Sequence, residues 1–190
     1  FQPVELTERV TYETIKLLNK YGIEYLIVTK SHIVANDEYL QTLDKDLAHI
    51  QITITTTDDE CCLTYEKASP PSLRIKAIEK LQENGFDVSV RLSPFIPQYV
   101  DVEKINAIRC DKILIEFLKV NGWVKKWFDI DYDEYTLKYG GYYHLQLGRK
   151  IQLVNLITGF KEVSVGEYVK EHYEYFRDNV NHNPEDCCNL

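Results

Sequence analysis

Short runs of β-branched and aliphatic residues alternate along the chain with segments in which apolar residues recur every three or four positions. Four of the short runs have the character of strands, and they lie near residues 24–29, 50–56, 88–92 and 112–117. In the second run, Ile50, Ile52 and Ile54 alternate with polar residues, which indicates one apolar and one polar face. Strands separated by helices favour right-handed crossovers and a parallel sheet. The pattern therefore predicts an α/β fold.

Helical periodicity fills the intervals between these strands. The expected helices begin near Thr7, Asp37 and Ser72, with Thr7 as a candidate N-cap. The apolar stripe expected for the first helix consists of Val10, Leu17, Leu18 and Tyr21.

The remainder of the chain, from about residue 121, has a different character. It contains both tryptophans, a turn at Gly140–Gly141, and helix-like segments near residues 151–157 and 167–178. We expect residues 1–120 to form the βα units and residues 121–190 to form an α-rich C-terminal appendage packed on them.

Composition and charge narrow the functional classes. The chain is 44% hydrophobic and 27% charged, which is typical of a globular protein. No apolar run approaches the ~18–20 residues of a membrane-spanning helix. The formal net charge of −8 has the wrong sign for a surface that binds phosphates throughout, although a local basic patch is left open. Because the sequence contains no methionine, we expect it to be a piece of a longer protein.

The five cysteines form neither a disulfide framework nor a zinc pattern. Cys61–Cys62 and Cys187–Cys188 are adjacent pairs, and Cys110 stands alone. We expect reduced thiols and a cytoplasmic location. Since adjacent side chains diverge in regular structure, a structural tail is the favoured interpretation of Cys187–Cys188, and metal binding there is left open.

Polar side chains fall within or just after the predicted strands. Parallel sheets bind ligands at the carboxyl ends of their strands. We therefore expect these polar residues to converge on one rim of the sheet, and they are Thr29, Lys30, Ser31, Thr53, Thr55, Thr56, Arg91, Ser93 and Glu116. A lysine, an arginine, a glutamate and several hydroxyls in one place suit a small anionic or zwitterionic ligand.

Five motifs stand in a characteristic order along the first part of the chain. They are Phe1–Glu5, Ile27–Ser31, Ile52–Thr56, Glu66–Arg74 and Arg91–Pro97. Together they resemble the radical S-adenosylmethionine (radical SAM) proteins of the spore photoproduct lyase type, and the resemblance extends to about Phe117.

The resemblance implies a truncated (βα)₆ barrel, S-adenosylmethionine and a 4Fe–4S cluster. In the family, a C-x₃-C-x₂-C segment after the first strand holds the cluster, which passes an electron to S-adenosylmethionine and generates a 5′-deoxyadenosyl radical. This sequence contains no such segment. Matching Phe1–Glu5 to the family places the start of the chain after the second barrel strand. The cluster is therefore expected in the full-length protein, and the chain as given is expected to be inactive.

The resemblance also assigns cofactor-binding residues. Lys30 matches a family lysine near the carboxylate of the cofactor, and Thr53 matches a strand serine that bonds the same methionyl end. Thr55 is its neighbour on the same strand face. Arg91 matches only part of the family. The resemblance implies that Lys30, Thr53, Thr55 and Arg91 point into one shared cavity at the carboxyl ends of the strands. The substrate is not indicated, and a nucleic acid lesion is left open although the net charge does not support it.

The sequence also leaves open two other functions and predicts self-association. Lys30 could serve as the Schiff-base nucleophile of a class I aldolase-like barrel. Alternatively, the aromatic C-terminal part could make the chain a non-catalytic binding module. A truncated barrel would also leave the strand Tyr25–Thr29 at an open edge, which favours self-association.

Overall fold

A five-stranded parallel sheet forms the centre of the computed structural model, which describes residues 1–186 and Cys188. Its strands are β1 (Tyr25–Thr29), β2 (Ala48–Ile54), β3 (Asp87–Phe95), β4 (Lys112–Phe117) and, after a small hairpin of β5 (Leu137–Tyr139) and β6 (Tyr142–His144), β7 (Glu162–Gly166). The order across the sheet is β1-β2-β3-β4-β7. The four strands predicted from the sequence are present and parallel, so the α/β fold is confirmed.

Helices fill the connections between these strands. They are α1 (Glu5–Glu8), α2 (Val10–Tyr21), α3 (Asp37–Thr42), α4 (Asp59–Tyr65), α5 (Pro71–Glu83), α6 (Val102–Asn106), α7 (Leu147–Asn155) and α8 (Lys170–Asn179). Short 3₁₀ turns occupy His32–Ala35, Pro97–Tyr99 and Val124–Lys126. Among the described residues, no helix combines the length and the apolar character needed to cross a membrane.

The sheet has one apolar and one polar face. Residues paired in adjacent parallel strands lie on the same side, so the register sorts the side chains into two sets. The apolar face carries Ile50, Ile52, Ile54, Val88, Val90, Leu92, Ile113, Ile115 and Val165, and the helices pack against it. The polar face carries Gln51, Thr53, Ser89, Arg91 and Glu116.

The N-terminal helix differs from the prediction. Thr7 lies inside α1 and is not the N-cap of α2. Arg9, in a left-handed conformation with φ 55°, separates the two helices. The carboxylate of Glu5 then accepts the free N–H groups of Thr11 at 2.9 Å and Tyr12 at 2.8 Å. A side chain from the preceding helix thus accepts hydrogen bonds from backbone N–H groups in the first turn of α2, which have no partner within the helix.

The predicted apolar stripe of α2 is also wrong. Its exposed members are Val10, Leu17 and Tyr21. Ile15 instead faces the core with 2% exposure. The helix ends at Gly22, as predicted, in a left-handed conformation with φ 62°.

The C-terminal part supplies β7 as well as α7 and α8, although the sequence analysis expected only an α-rich appendage there. The side-chain amide of Asn181 covers the outer edge of β7: its Oδ1 accepts the N–H of Val165 at 2.8 Å. The backbone N–H of His182 donates to the carbonyl of Val163 at 3.1 Å.

At the other end of the sheet, no described strand pairs with the outer edge of β1. The side chains of Leu26 and Val28 in this strand lie on the face that carries Gln51, and they are 43% and 48% exposed.

A buried polar cluster lies beyond the carboxyl ends of β4 and β7. The ammonium of Lys150 on α7 donates to Glu167 and, at 3.1 Å, to Nδ1 of His172 on α8. The ring of His144 stacks on Tyr168 beside this cluster. Burial lowers the pKa of Lys150, against the opposing effect of Glu167.

Candidate functional site

Lys30 is presented at the carboxyl end of β1 by a tightly bonded turn. The hydroxyl of Thr29 accepts the N–H of Ser31 at 3.0 Å, and the hydroxyl of Ser31 accepts the N–H of Ile33 at 3.3 Å. These bonds end the strand and start the 3₁₀ turn. The side chain of Lys30 is 40% exposed, and its ammonium is hydrogen-bonded to Glu66.

Glu66 receives hydrogen bonds from several elements at once. Its Oε1 accepts from Lys30 and, at 2.9 Å, from the hydroxyl of Thr55. Its Oε2 accepts from Arg74 at 2.5 Å. Burial raises the pKa of Glu66, but the hydrogen bonds from Lys30 and Arg74 outweigh it and hold the pKa below the ordinary value. Glu66 is therefore a charged carboxylate between two cations.

Arg74 lies on α5 and is completely buried. Besides Glu66, its guanidinium donates to the carbonyl of Ser69 at 2.6 Å and to the carbonyl of Thr53 at 3.1 Å. One side chain thus joins the end of β2, the turn before α5 and the carboxylate. The planar, multiply donating guanidinium suits this role in a way that a lysine does not.

A cavity of about 660 Å³ opens beside Lys30. Its polar lining consists of Gln2, Thr29, Lys30, Ser31, His32, Asn36, Lys67 and Ser69. Apolar walls come from Phe1, Leu6 and Val28, among others. His32 is oriented by Ser69, since its Nδ1 lies 2.8 Å from the serine hydroxyl. The volume is within the usual range of small-molecule sites, and the polar lining contains two lysines.

The structure separates the four candidate residues into two groups. Lys30 and Thr55 meet through Glu66. Thr53 and Arg91 are directly paired neighbours on the polar face of β2 and β3. Of the four, only Lys30 is among the residues that line the cavity.

Arg91 has its own carboxylate partner. Its guanidinium donates to Glu116 at 2.5 Å and to the side-chain carbonyl of Gln51 at 3.1 Å. The amide nitrogen of Gln51 donates in turn to the backbone carbonyl of Cys188 at 2.6 Å. Arg91 therefore belongs to a polar network across the middle of the sheet, in which Glu116 and Gln51 are its partners.

The described residues offer no thiolate set for an iron–sulfur cluster. None of their His, Cys, Asp and Glu side chains form a group of three or more that could hold a metal ion. Burial raises the pKa of Cys62 and of Cys110, which favours the neutral thiols. Cys188 is exposed, and Cys187 lies outside the described residues. The part of the chain that the structure describes therefore does not fit a cluster.

The sequence pattern alone predicts no role for Glu66 and Arg74. They are the first and last residues of the motif Glu66–Arg74, but they also contact Lys30 and Thr53, which lie in other segments of the chain. Glu66 pairs with Lys30 across 36 positions. One sequence feature could have identified both residues: this motif has an acidic residue at its start and a basic residue at its end.

Two curated relatives match parts of the chain. An uncharacterized protein of Acidianus two-tailed virus is 32% identical over 77 residues, which are 40% of this chain and 26% of the relative. An uncharacterized protein of Methanocaldococcus jannaschii is 33% identical over 108 residues, which are 55% of this chain and 40% of the relative. The matches thus span well under half of each relative. No protein-family model matches the chain.

Solved structures match nearly the whole chain. A spore photoproduct lyase mutant with bound S-adenosylmethionine and dinucleoside spore photoproduct has a TM-score of 0.58 at 13% identity. That match covers 91% of this chain and 55% of the lyase. A domain of pyruvate-formate lyase-activating enzyme from Bacteroides vulgatus has a TM-score of 0.58 at 16% identity, over 88% of this chain and 96% of the domain. Both neighbours are radical SAM enzymes. The resemblance predicted from the five motifs is therefore confirmed at the level of the fold, which is that of a partial radical SAM barrel.

Proposed function

We propose that this chain forms the later strands of a radical SAM barrel and binds the methionyl end of S-adenosylmethionine at Lys30. One observation carries the proposal: Lys30 is held at the carboxyl end of the first parallel strand, beside a cavity of ligand size. This is the edge of a parallel sheet at which ligands bind.

The residues of the cavity fit the methionyl group. Its carboxylate would accept from the ammonium of Lys30 and from the hydroxyls of Ser31 and Ser69, and its amine would donate to the side-chain carbonyl of Asn36. Charge-assisted bonds of this kind contribute about 1.5–3 kcal/mol each. When bound to a reduced cluster, S-adenosylmethionine supplies a 5′-deoxyadenosyl radical. This chain would contribute cofactor binding and orientation, since its residues do not fit the cluster.

The ion pair with Glu66 argues against the aldolase alternative. A Schiff-base nucleophile must be a neutral amine, whereas a buried carboxylate in contact with Lys30 stabilises the ammonium. Trapping with borohydride and carbonyl substrates would label Lys30 only if the aldolase hypothesis holds.

The gene sequence upstream of Phe1 is the first test. The proposal requires a C-x₃-C-x₂-C segment there, and its absence would favour the non-catalytic binding module. The second test is calorimetry of S-adenosylmethionine binding to the protein that includes this segment. We expect Lys30→Ala to weaken binding about tenfold or more. Lys161→Ala is the matched control, because Lys161 is exposed and paired with Asp111 far from the cavity. Equal affinity in Lys30→Ala and Lys161→Ala would contradict the proposal.

A nucleic acid lesion is the substrate class that we propose. The observation in its favour is an exposed pair, Trp123 and Trp127, which flanks Lys125 and Lys126. Aromatic rings beside cations suit the stacking and charge of an unpaired nucleotide. Binding of a fluorescently labelled single-stranded oligonucleotide, followed by fluorescence anisotropy, should be salt-dependent and should weaken in the double variant Trp123→Ala, Trp127→Ala. Equal binding by the parent protein and the double variant, or no binding by either, would remove this substrate class.

A further inference from the structure

Glu66 lies where three elements of the fold meet. It joins Lys30 after β1, Thr55 after β2 and Arg74 on α5, and its side chain is only 7% exposed. The two cations bind different oxygens of the carboxylate, because Lys30 donates to Oε1 and Arg74 to Oε2. The three charged groups together carry one net positive charge beside the cavity.

Arg74 and Lys30 differ in their burial and in their access to the cavity. Arg74 is completely buried, and besides Glu66 its guanidinium donates to the carbonyls of Ser69 and Thr53 and to the Sγ of Cys62. Lys30 is 40% exposed and lines the cavity. An ammonium has three N–H groups, and the bond to Glu66 uses one of them. Arg74 therefore fixes Glu66, and Glu66 in turn fixes Lys30.

We propose that Glu66 is a positioning residue, which holds the ammonium of Lys30 at the cavity wall so that its other N–H groups face a carboxylate ligand. A lysine that is already held loses less rotamer freedom when an anion binds. That the carboxylate belongs to S-adenosylmethionine rests on the proposed function, whereas the positioning of Lys30 does not.

The first experiment measures Lys30 without any cofactor. Reductive methylation with ¹³C-formaldehyde requires a lysine nitrogen that is accessible and not engaged in a hydrogen bond, so the rate at Lys30 reports its contact with Glu66. We expect the rate at Lys30 to rise severalfold in Glu66→Gln and the rate at Lys67 to stay unchanged. Lys67 is the internal reference because it follows Glu66 directly and lines the same cavity. An unchanged rate at Lys30 would overturn the proposal.

A second variant guards against a failure to fold. Glu66→Gln leaves the buried Arg74 without a counter-charge, whereas Glu66→Asp keeps that charge and shortens the side chain. The shorter carboxylate cannot reach both cations in place, so methylation of Lys30 should again be faster than in the parent protein. A folded Glu66→Asp variant with the parental rate at Lys30 would also overturn the proposal.

The second experiment adds the cofactor. In the protein used to test the proposed function, Glu66→Gln should weaken S-adenosylmethionine binding about tenfold, with much less additional effect when Lys30→Ala is combined with it. Unchanged affinity in Glu66→Gln would overturn the positioning role. If the parent protein binds no S-adenosylmethionine, the proposed function fails, and the methylation rates alone decide the role of Glu66.

Discussion

The ammonium of Lys150 donates a hydrogen bond to Nδ1 of His172 across 3.1 Å, although both side chains are buried. A ring nitrogen that accepts a hydrogen bond carries no proton, so His172 is neutral here. Burial lowers the pKa of His172, and the charge of Lys150 lowers it further. Burial also lowers the pKa of nearby His144.

These two histidines predict a loss of stability in mild acid. Their pKa values in the folded protein are below the unfolded value of about 6.5, so below that pH the unfolded chain binds more protons. The contribution of the two neutral histidines to the free energy of unfolding should therefore be fully present above about pH 6.5 and should be lost as the pH falls through their lowered folded pKa values. Urea denaturation at a series of pH values measures this loss. His172→Gln should reduce the dependence of the free energy of unfolding on pH in this range, and an unchanged dependence would contradict the prediction.

Arg74 and Arg91 each pair with a glutamate, and their substitutions should differ in cost. Arg74→Met leaves Glu66 charged and buried, so we expect a loss of about 3–5 kcal/mol. Arg91→Met breaks a pair whose side chains are 26% and 34% exposed, so the loss should be at most about 1 kcal/mol. Thermal and urea unfolding of both variants provide the comparison. Equal losses of stability in the two variants would contradict the prediction that solvent screens the ion pair between Arg91 and Glu116.

Glu5→Gln tests the side-chain cap of α2. Burial works against the charged form of Glu5, but the hydroxyl of Tyr39 and the N–H groups of Thr11 and Tyr12 lower its pKa to about 2. We expect a loss of about 1–3 kcal/mol near neutral pH. Because the folded pKa is depressed, this contribution is present above about pH 4.5 and is lost as the pH falls toward 2. Glu13→Gln, on the exposed face of α2, is the control and should cost little.

The outer edge of β1 predicts self-association. An unpaired strand with exposed apolar side chains is a template for another chain. Light scattering should show species larger than the monomer at high protein concentration. Leu26→Lys should shift the distribution toward the monomer, and Leu63→Lys, at an exposed position on α4, should not. A monomeric parent protein would remove this prediction.

The strands were predictable because their hydrophobic character is local. Ile50, Ile52 and Ile54 record the apolar face of β2 within five consecutive positions. The orientation of α2 was not predictable in this way, since the helix carries apolar residues on more than one side. Contacts with α3 and the core, which lie elsewhere in the chain, decide that Ile15 is buried while Leu17 is exposed.

Within the candidate site, the sequence predicted only the residue whose local position was informative by itself. Lys30 was identified from its place after a strand and from the family motif. Its partner Glu66 and the buried Arg74 are joined to it by contacts between distant segments, which no periodicity records. β7 was missed for a related reason: Glu162–Gly166 is short, and it becomes a strand by pairing with β4.

The side chain of Asn181 and the backbone N–H of His182 occupy the edge of β7 where a further strand could have paired. A sheet with one open edge can pair with one other copy and then closes as a dimer, whereas a sheet with two open edges can add copies without limit. An assembly of this chain through the edge of β1 would therefore stop at two copies. The segment that covers β7 is what would separate such a dimer from a filament.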